Sequence, residues 1–105
     1  MNNKNLKINV LTTIEYFLLT NKDTTQNILN SIVLTLESLD RLKEYATDNI
    51  DLRTQICRAY FNMTSIDVFT YDDLSENERL NRMRSECLRV MKPLMDIHSY
   101  IEENC

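Results

Sequence analysis

Apolar side chains recur at intervals of three or four residues along most of this 105-residue chain, which is the spacing of one face of an α-helix. No Pro-, Gly- or Ser-rich linker interrupts the pattern, and only short polar segments divide it. We therefore predict four helices within one domain, residues 1–105. The helices are expected over roughly residues 5–20, 24–47 and 52–69, and from Ser75 towards the end of the chain.

Short polar residues at the junctions predict where the helices start and stop. Asp23, with Gln26 three residues later, resembles an N-cap with its capping-box partner, and Asp51 is expected to cap the third helix. Because the chain contains no glycine, Asn21 is the residue expected to take the left-handed conformation that ends the first helix.

The expected core lies on one stripe of each of the first three helices. The second helix has a further apolar stripe beside the first, which predicts burial on more than one side. β-branched and aromatic residues follow the third helix, so that this helix extends either to about Phe69 or only to about Asn62. The main stripes comprise Leu6, Val10, Leu11, Ile14, Phe17 and Leu18, then Ile28, Ile32, Leu39, Leu42 and Ala46, then Ile56, Ala59, Tyr60, Met63 and Ile66, and the further stripe comprises Leu29, Val33 and Leu36.

The fourth helix has the clearest start, because Ser75 and Glu78 form an S-x-x-E capping box ahead of a long apolar stripe. This stripe is a heptad seam, with intervals that alternate between three and four residues, and it predicts a face that packs against other helices. The heptad phase continues across Pro93, which predicts one kinked helix rather than two. The seam comprises Leu80, Met83, Cys87, Val90, Leu94, Ile97 and Ile101.

These elements predict an all-α fold, a small four-helix bundle whose long last helix carries the heptad seam and is kinked at Pro93. The seam is longer than the first helix can cover. We therefore expect a homodimer that buries the late seam, including Ile97 and Ile101, between two copies. The alternative, in which the seam is internal core, stays open and is the commoner arrangement in bundles. Met91 and Met95 suit either a core or an adaptable partner-binding groove.

Charge gives a second candidate surface. Arg82, Arg89 and Lys92 project to one side of the seam, where they form a basic stripe for phosphate or for an acidic protein. The net charge of −4 argues against general affinity for nucleic acid or anionic membrane. A small nucleic-acid-binding regulator is therefore the alternative function rather than the first one.

The cysteines and the single histidine do not form a convincing zinc site. Cys87 and His98 share a helix face, but at 1.5 Å per residue they stand roughly 16 Å apart along the axis, and zinc ligands lie about 2 Å from the metal. Cys57, Cys87 and Cys105 are an odd number of thiols, for which we expect the reduced state. No metal and no other cofactor is expected.

The sequence lacks the residues that several classes of enzyme require. Without glycine there is no P-loop or dinucleotide-binding fingerprint, and with one histidine the paired Glu-x-x-His arrangement of di-iron bundles is impossible. The N-terminal residues lack the apolar run of a secretory signal, and no stretch approaches the roughly 18 apolar residues of a membrane span. We expect no catalytic activity, no membrane partner and a cytoplasmic location.

These observations predict a non-enzymatic protein–protein interaction factor, that is, a regulator, inhibitor, immunity or adaptor protein that acts through a helical surface. Two alanines against twelve asparagines indicate an AT-rich genome, which suggests a phage or bacterial accessory protein. The candidate partner-binding residues are Arg82, Arg89, Lys92, Met91, Met95, Ile97 and Ile101.

Overall fold

The computed structural model describes residues 3–46, 48–66 and 74–104. These residues form helices and short connections, with no strand among them, which confirms the predicted all-α four-helix bundle. The helices are α1 Asn3–Leu19, α2 Thr25–Tyr45, α3 Ile50–Thr64 and α4 Glu76–Asn104.

The four helices are arranged as a ring. α1 and α3 each pack against both α2 and α4, while α2 and α4 also touch across the middle of the bundle. The first residues of α2 and α4 lie together, because the Thr25 hydroxyl donates to Glu76 Oε1 over 3.1 Å. α1 packs more extensively along α2 than along α4, so that the junction of α1 with α4 is the more open of the two.

The start of α2 differs by one residue from the prediction. Thr24, not Asp23, is the N-cap, and its hydroxyl accepts a hydrogen bond of 3.1 Å from the Asn27 N–H. Asp23 is held in the preceding turn, where its own N–H donates to Asn21 Oδ1 over 2.7 Å. Asn21 does not take the left-handed conformation, since no described residue has a positive φ.

The predicted N-cap of α3 is wrong, whereas the predicted N-cap of α4 is confirmed. Asn49, not Asp51, caps α3, with its Oδ1 accepting from the Leu52 N–H over 3.0 Å. Asp51 lies inside the first turn, where a negative charge is favourable at the positive end of the helix dipole. The Ser75 cap is confirmed, because its hydroxyl accepts from the Glu78 N–H over 3.3 Å.

The turn after α1 is closed by side chains instead of by a glycine. Lys22 Nζ donates to the Phe17 carbonyl over 2.7 Å and to the Thr20 carbonyl over 3.4 Å, which satisfies acceptors that the end of a helix leaves open. The same ammonium group lies 5.1 Å from the centre of the Phe17 ring. The side chain of Lys22 therefore satisfies carbonyl groups at the end of α1 that a glycine-based C-cap usually satisfies through backbone N–H groups.

The predicted main stripes supply most of the core, whereas the further stripe of α2 lies at its edge, with Leu36 partly buried against the core. Val33 is 45% exposed, and no described element covers it. The core side of α2 is completed by small polar residues instead, whose hydroxyls are satisfied by nearby acceptors because burial without a partner is costly. These residues are Ser31, Thr35 and Ser38, which donate to the Ile28 carbonyl, the Ser31 carbonyl and Asn9 Oδ1.

The heptad seam of α4 is internal core. α4 is continuous through Pro93, as the heptad phase predicted. Ile97 and Ile101 are 0% and 1% exposed within a single chain, because the other helices cover them. These two residues are therefore not available to a second copy, and the expectation of a dimer through the late seam is corrected.

The remaining boundaries follow the chain's local chemistry. α3 ends at Thr64, between the two predicted ends, where Thr64 and Ser65 turn their hydroxyls back onto the carbonyls of Phe61 and Asn62. Residue 69 lies outside the described residues.

No helix in the described ranges is both long and apolar enough to cross a membrane.

Candidate partner-binding surface

The basic stripe on α4 is interrupted by acidic side chains. Arg82, Arg89 and Lys92 are all exposed, as predicted for a surface. However, Arg89 Nη2 lies 3.6 Å from Glu86 Oε1, and Lys92 Nζ lies 3.4 Å from Asp96 Oδ1. Each acid is on the same helix as its base, so the surface alternates in sign over a few residues. Its positive field is correspondingly weak.

The apolar side chains of α4 that point away from the core form a second strip. Leu88 is 68% exposed, Met95 is 54% exposed, and Met91 lies between them, partly buried against the core. The intervals of three and four residues place the three side chains on one flank of the helix over two turns. Met91 and Met95, predicted from sequence as partner-binding candidates, therefore lie on a shared surface.

The facing helix supplies apolar side chains to the same region. Leu18 of α1 is partly buried, and its neighbour Leu19 is 83% exposed. Between α1 and α4 lies a hollow of about 220 Å³. We call this hollow the α1/α4 groove, and it is lined by Glu15, Leu18, Leu19, Met95, His98 and Ser99.

His98 connects the two walls of the α1/α4 groove electrostatically. Its Nδ1 lies 3.0 Å from Glu102 Oε1 on α4, and its Nε2 lies 3.7 Å from Glu15 Oε2 on α1. The second distance is too long for a hydrogen bond, and Nε2 is buried without a hydrogen-bond partner among the described residues. Both carboxylates are more than half exposed, so this end of the groove presents negative charge to a ligand.

The thiols lie apart from the groove and from each other. Cys57 is exposed on α3, whereas Cys87 is buried in the α4 seam. Burial raises the pKa of the Cys87 thiol, the Lys22 charge opposes this shift and Glu86 adds to it. No group of three or more His, Cys, Asp and Glu side chains in the described ranges is placed to hold a metal ion. Cys105 lies outside those ranges.

Comparison of this chain with protein-family models, with curated proteins and with solved structures finds no match.

The structure adds residues of the groove and of the adjoining flank of α4 that the sequence pattern did not single out. Leu19, Leu88 and the Glu15–His98 pair were all missed. The consecutive leucines at 18 and 19 contained a usable signal, because neighbouring residues on a helix are 100° apart and cannot both face a narrow core. The Glu15–His98 pair had no sequence signal, since it depends on how α1 and α4 are placed.

Proposed function

We propose that this chain is a non-enzymatic protein–protein interaction factor, a regulator, inhibitor, immunity or adaptor protein, which binds a partner at the α1/α4 groove. The observation that carries the proposal is the exposure of Leu19 and Met95, at 83% and 54%, in the lining of one hollow, with Leu88, 68% exposed, on the same flank of α4 beyond it. Single exposed apolar residues are ordinary on protein surfaces, but grouped ones indicate binding sites.

The shape of the groove suits a helix of the partner. The apolar flank of α4 from Leu88 to Met95 extends over seven residues, or about 10 Å of helix axis, which matches two turns of an incoming helix. An apolar side chain of that helix enters the hollow between Leu19 and Met95. The flexible methionine adjusts to its shape.

Charge adds a further requirement on the partner. Glu15 and Glu102 flank His98 at one end of the groove, with 55% and 58% of their side chains exposed. A lysine or arginine next to the partner's apolar face is attracted there, whereas an acidic residue is repelled. The proposed partner therefore has an amphipathic helix with a basic residue at one edge.

The alternative function, nucleic-acid binding through Arg82, Arg89 and Lys92, has weaker support. Glu86 and Asp96 lie within 4 Å of two of these three bases, and the chain has a net charge of −4. Retention on immobilised heparin at low salt, lost in an Arg89→Glu variant, would favour this alternative.

The test compares two variants in cells that produce the protein. Met95→Asp places a charge in the groove, and Leu34→Asp places the same charge on α2, at a residue that is 46% exposed compared with 54% for Met95. Proteins that co-purify with the wild type are identified by mass spectrometry, and their recovery with Met95→Asp and with Leu34→Asp is compared. Each is then purified, and its binding is measured by calorimetry.

We expect Met95→Asp to weaken binding at least tenfold and Leu34→Asp to change it less than twofold, because hot-spot side chains dominate an interface. Circular dichroism of both variants controls for folding. A partner that binds the wild type and Met95→Asp equally would contradict the groove as its site.

A further inference from the structure

The outer face of α3 is apolar although it points away from the core. Ile50 and Phe61 are 78% and 72% exposed, and Thr54 and Cys57 between them are also exposed. The four residues follow one another at intervals of four, three and four, which places them in one line along the helix. We call this line the α3 stripe. It is separate from the α1/α4 groove, which involves no residue of α3.

One end of the α3 stripe is a shallow, open depression, and the other end carries a large exposed side chain. A depression of about 370 Å³ is lined by Ile50, Arg53, Thr54 and Cys57. Residues at positions i, i+3, i+4 and i+7 are the four that form a hole for a side chain of a facing helix in knobs-into-holes packing. Phe61, one turn after Cys57, is a large exposed knob on the same helix. A knob and a hole on the same rigid helix cannot meet within one molecule.

We propose that two copies of this chain pair antiparallel through the α3 stripe, with Phe61 of each copy seated in the hole between Ile50 and Cys57 of the other. In the antiparallel orientation both knobs fill both holes at once, and the contact closes after two copies. A parallel pair would instead place Phe61 against Phe61 and leave both holes empty. The direction of pairing therefore follows from the order of hole and knob along the helix.

The composition of the hole suits an aromatic ring. Ile50 supplies an apolar wall, and Arg53 supplies a guanidinium group, which is attracted to the face of a phenyl ring within about 6 Å. Phe61, with 72% of its surface exposed, leaves on the order of 150 Å² in contact with water. Burial of the stripe on both copies removes on the order of 1,000 Å² in total, the lower limit for a specific interface. An interface of this size is typical of weak association, so we expect a dimer that forms only at high protein concentration.

The two-fold axis lies beside Cys57, which is about midway along the helix between the centre of the hole and Phe61. The two Cys57 thiols consequently face each other across a helix pair whose axes are about 8–10 Å apart. Arg58, the next residue, is exposed on the flank of the stripe, so the two Arg58 side chains also approach each other near the axis. Salt screens this repulsion, so raising the salt concentration should strengthen the dimer rather than weaken it.

Sedimentation equilibrium between about 1 µM and about 1 mM protein tests the proposal. The wild type should change from 12.5 kDa towards twice that mass, with the transition at lower protein concentration in high salt. Phe61→Glu should remain at 12.5 kDa throughout. The matched control is Leu88→Glu, at a residue that is 68% exposed on α4, and it should dimerise like the wild type. A monomeric wild type at the highest concentration, or a dimer lost in Leu88→Glu but kept in Phe61→Glu, would overturn the proposal.

A crosslinking experiment gives an answer even if Phe61→Glu fails to fold. In a Cys105→Ser background, a short bismaleimide should link two chains through Cys57. The comparison variant carries Cys57→Ser and Leu88→Cys, so that its reactive thiol is on another face. We expect at least a fivefold higher yield of linked dimer through Cys57. Equal yields from the two positions would mean that the chains meet only by random collision, and the proposal would be wrong.

Discussion

Arg84 Nε donates a hydrogen bond of 2.7 Å to the backbone carbonyl of Lys22. The same guanidinium group pairs with Asp23 Oδ1 at 3.3 Å. Lys22 itself caps the end of α1, so one arginine on α4 holds the turn between α1 and α2 against the rest of the bundle. This chain of contacts replaces the glycine that such a turn usually contains.

Replacing Arg84 by Ala should therefore lower the free energy of unfolding by about 1.5 kcal/mol, since a partly buried carbonyl loses a hydrogen bond from a charged donor. Urea denaturation measures the change. The control is Arg89→Ala, which removes the 3.6 Å ion pair between Glu86 and an arginine that is 59% exposed, and it should lower the free energy of unfolding by about 0.5 kcal/mol or less. Equal losses from the two variants would contradict a structural role for the Arg84–Lys22 contact.

Asn49 combines two bonds that can be removed separately. Its Oδ1 caps α3, and its Nδ2 donates to the hydroxyl of Tyr100 on α4 over 2.8 Å. Asn49→Ala should cost about 2 kcal/mol, the sum of a lost N-cap and a lost hydrogen bond. Asn49→Asp keeps the cap and should cost about half as much. When Tyr100 is also replaced by Phe, Asn49→Ala and Asn49→Asp should still differ by the same free energy of unfolding in urea denaturation, because the cap does not involve Tyr100.

Ile97 and Met95 are two residues apart on α4, but Ile97 is buried in the core and Met95 is exposed on the surface. Ile97→Ala should cost about 3 kcal/mol, because it leaves a cavity in a fully buried site. Met95→Ala, at a residue that is 54% exposed, should cost about 0.5 kcal/mol or less. Thermal and urea denaturation of both variants decide between core and surface. A folded, monomeric and fully stable Ile97→Ala would show that the seam is not internal.

Cys87 and Cys57 should differ in their reaction with thiol reagents. Burial raises the pKa of the Cys87 thiol above its ordinary value. At any given pH a smaller fraction of this thiol than of a solvent-exposed thiol is therefore thiolate, which is the reactive form. At neutral pH, Cys57 should react with a maleimide in minutes, while Cys87 reacts only after denaturant unfolds the bundle. Mass spectrometry of labelled peptides separates the two sites. Labelling of Cys87 at the rate of Cys57 in the folded protein would contradict its burial.

Local rules in the sequence determined the number of helices, the start of α4 at Ser75 and the set of side chains that share the seam from Met83 to Ile101, whereas only the tertiary structure showed that this seam is covered within one chain. Each of these depends on residues within one or two turns of each other, where the spacing of apolar side chains and the reach of a capping hydroxyl are fixed by helix geometry. The continuity of α4 through Pro93 followed in the same way, from a heptad phase that does not change at the proline.

The sequence determined less well which of two nearby residues caps a helix or faces the core. Asp23 and Thr24 are both good N-cap residues, and only the path of the turn decides whose side chain reaches the first free N–H. Similarly, Thr35 is buried and Val33 is 45% exposed, because Thr35 lies three residues after Ile32 and four before Leu39 on the core face of α2. Hydrophobicity alone favours the opposite choice.

Only the tertiary structure showed which side chains complete the candidate surfaces. His98 and Glu15 meet because α1 and α4 lie side by side, and the hollow beside Leu19 exists because those two helices pack less extensively than α1 and α2. The Phe61 knob and the hole around Thr54 likewise became visible once Ile50 and Phe61 were known to be exposed. Local spacing fixes which residues share a helix face, whereas the relative placement of helices, set by the packing of the whole core, decides which of those faces remain exposed.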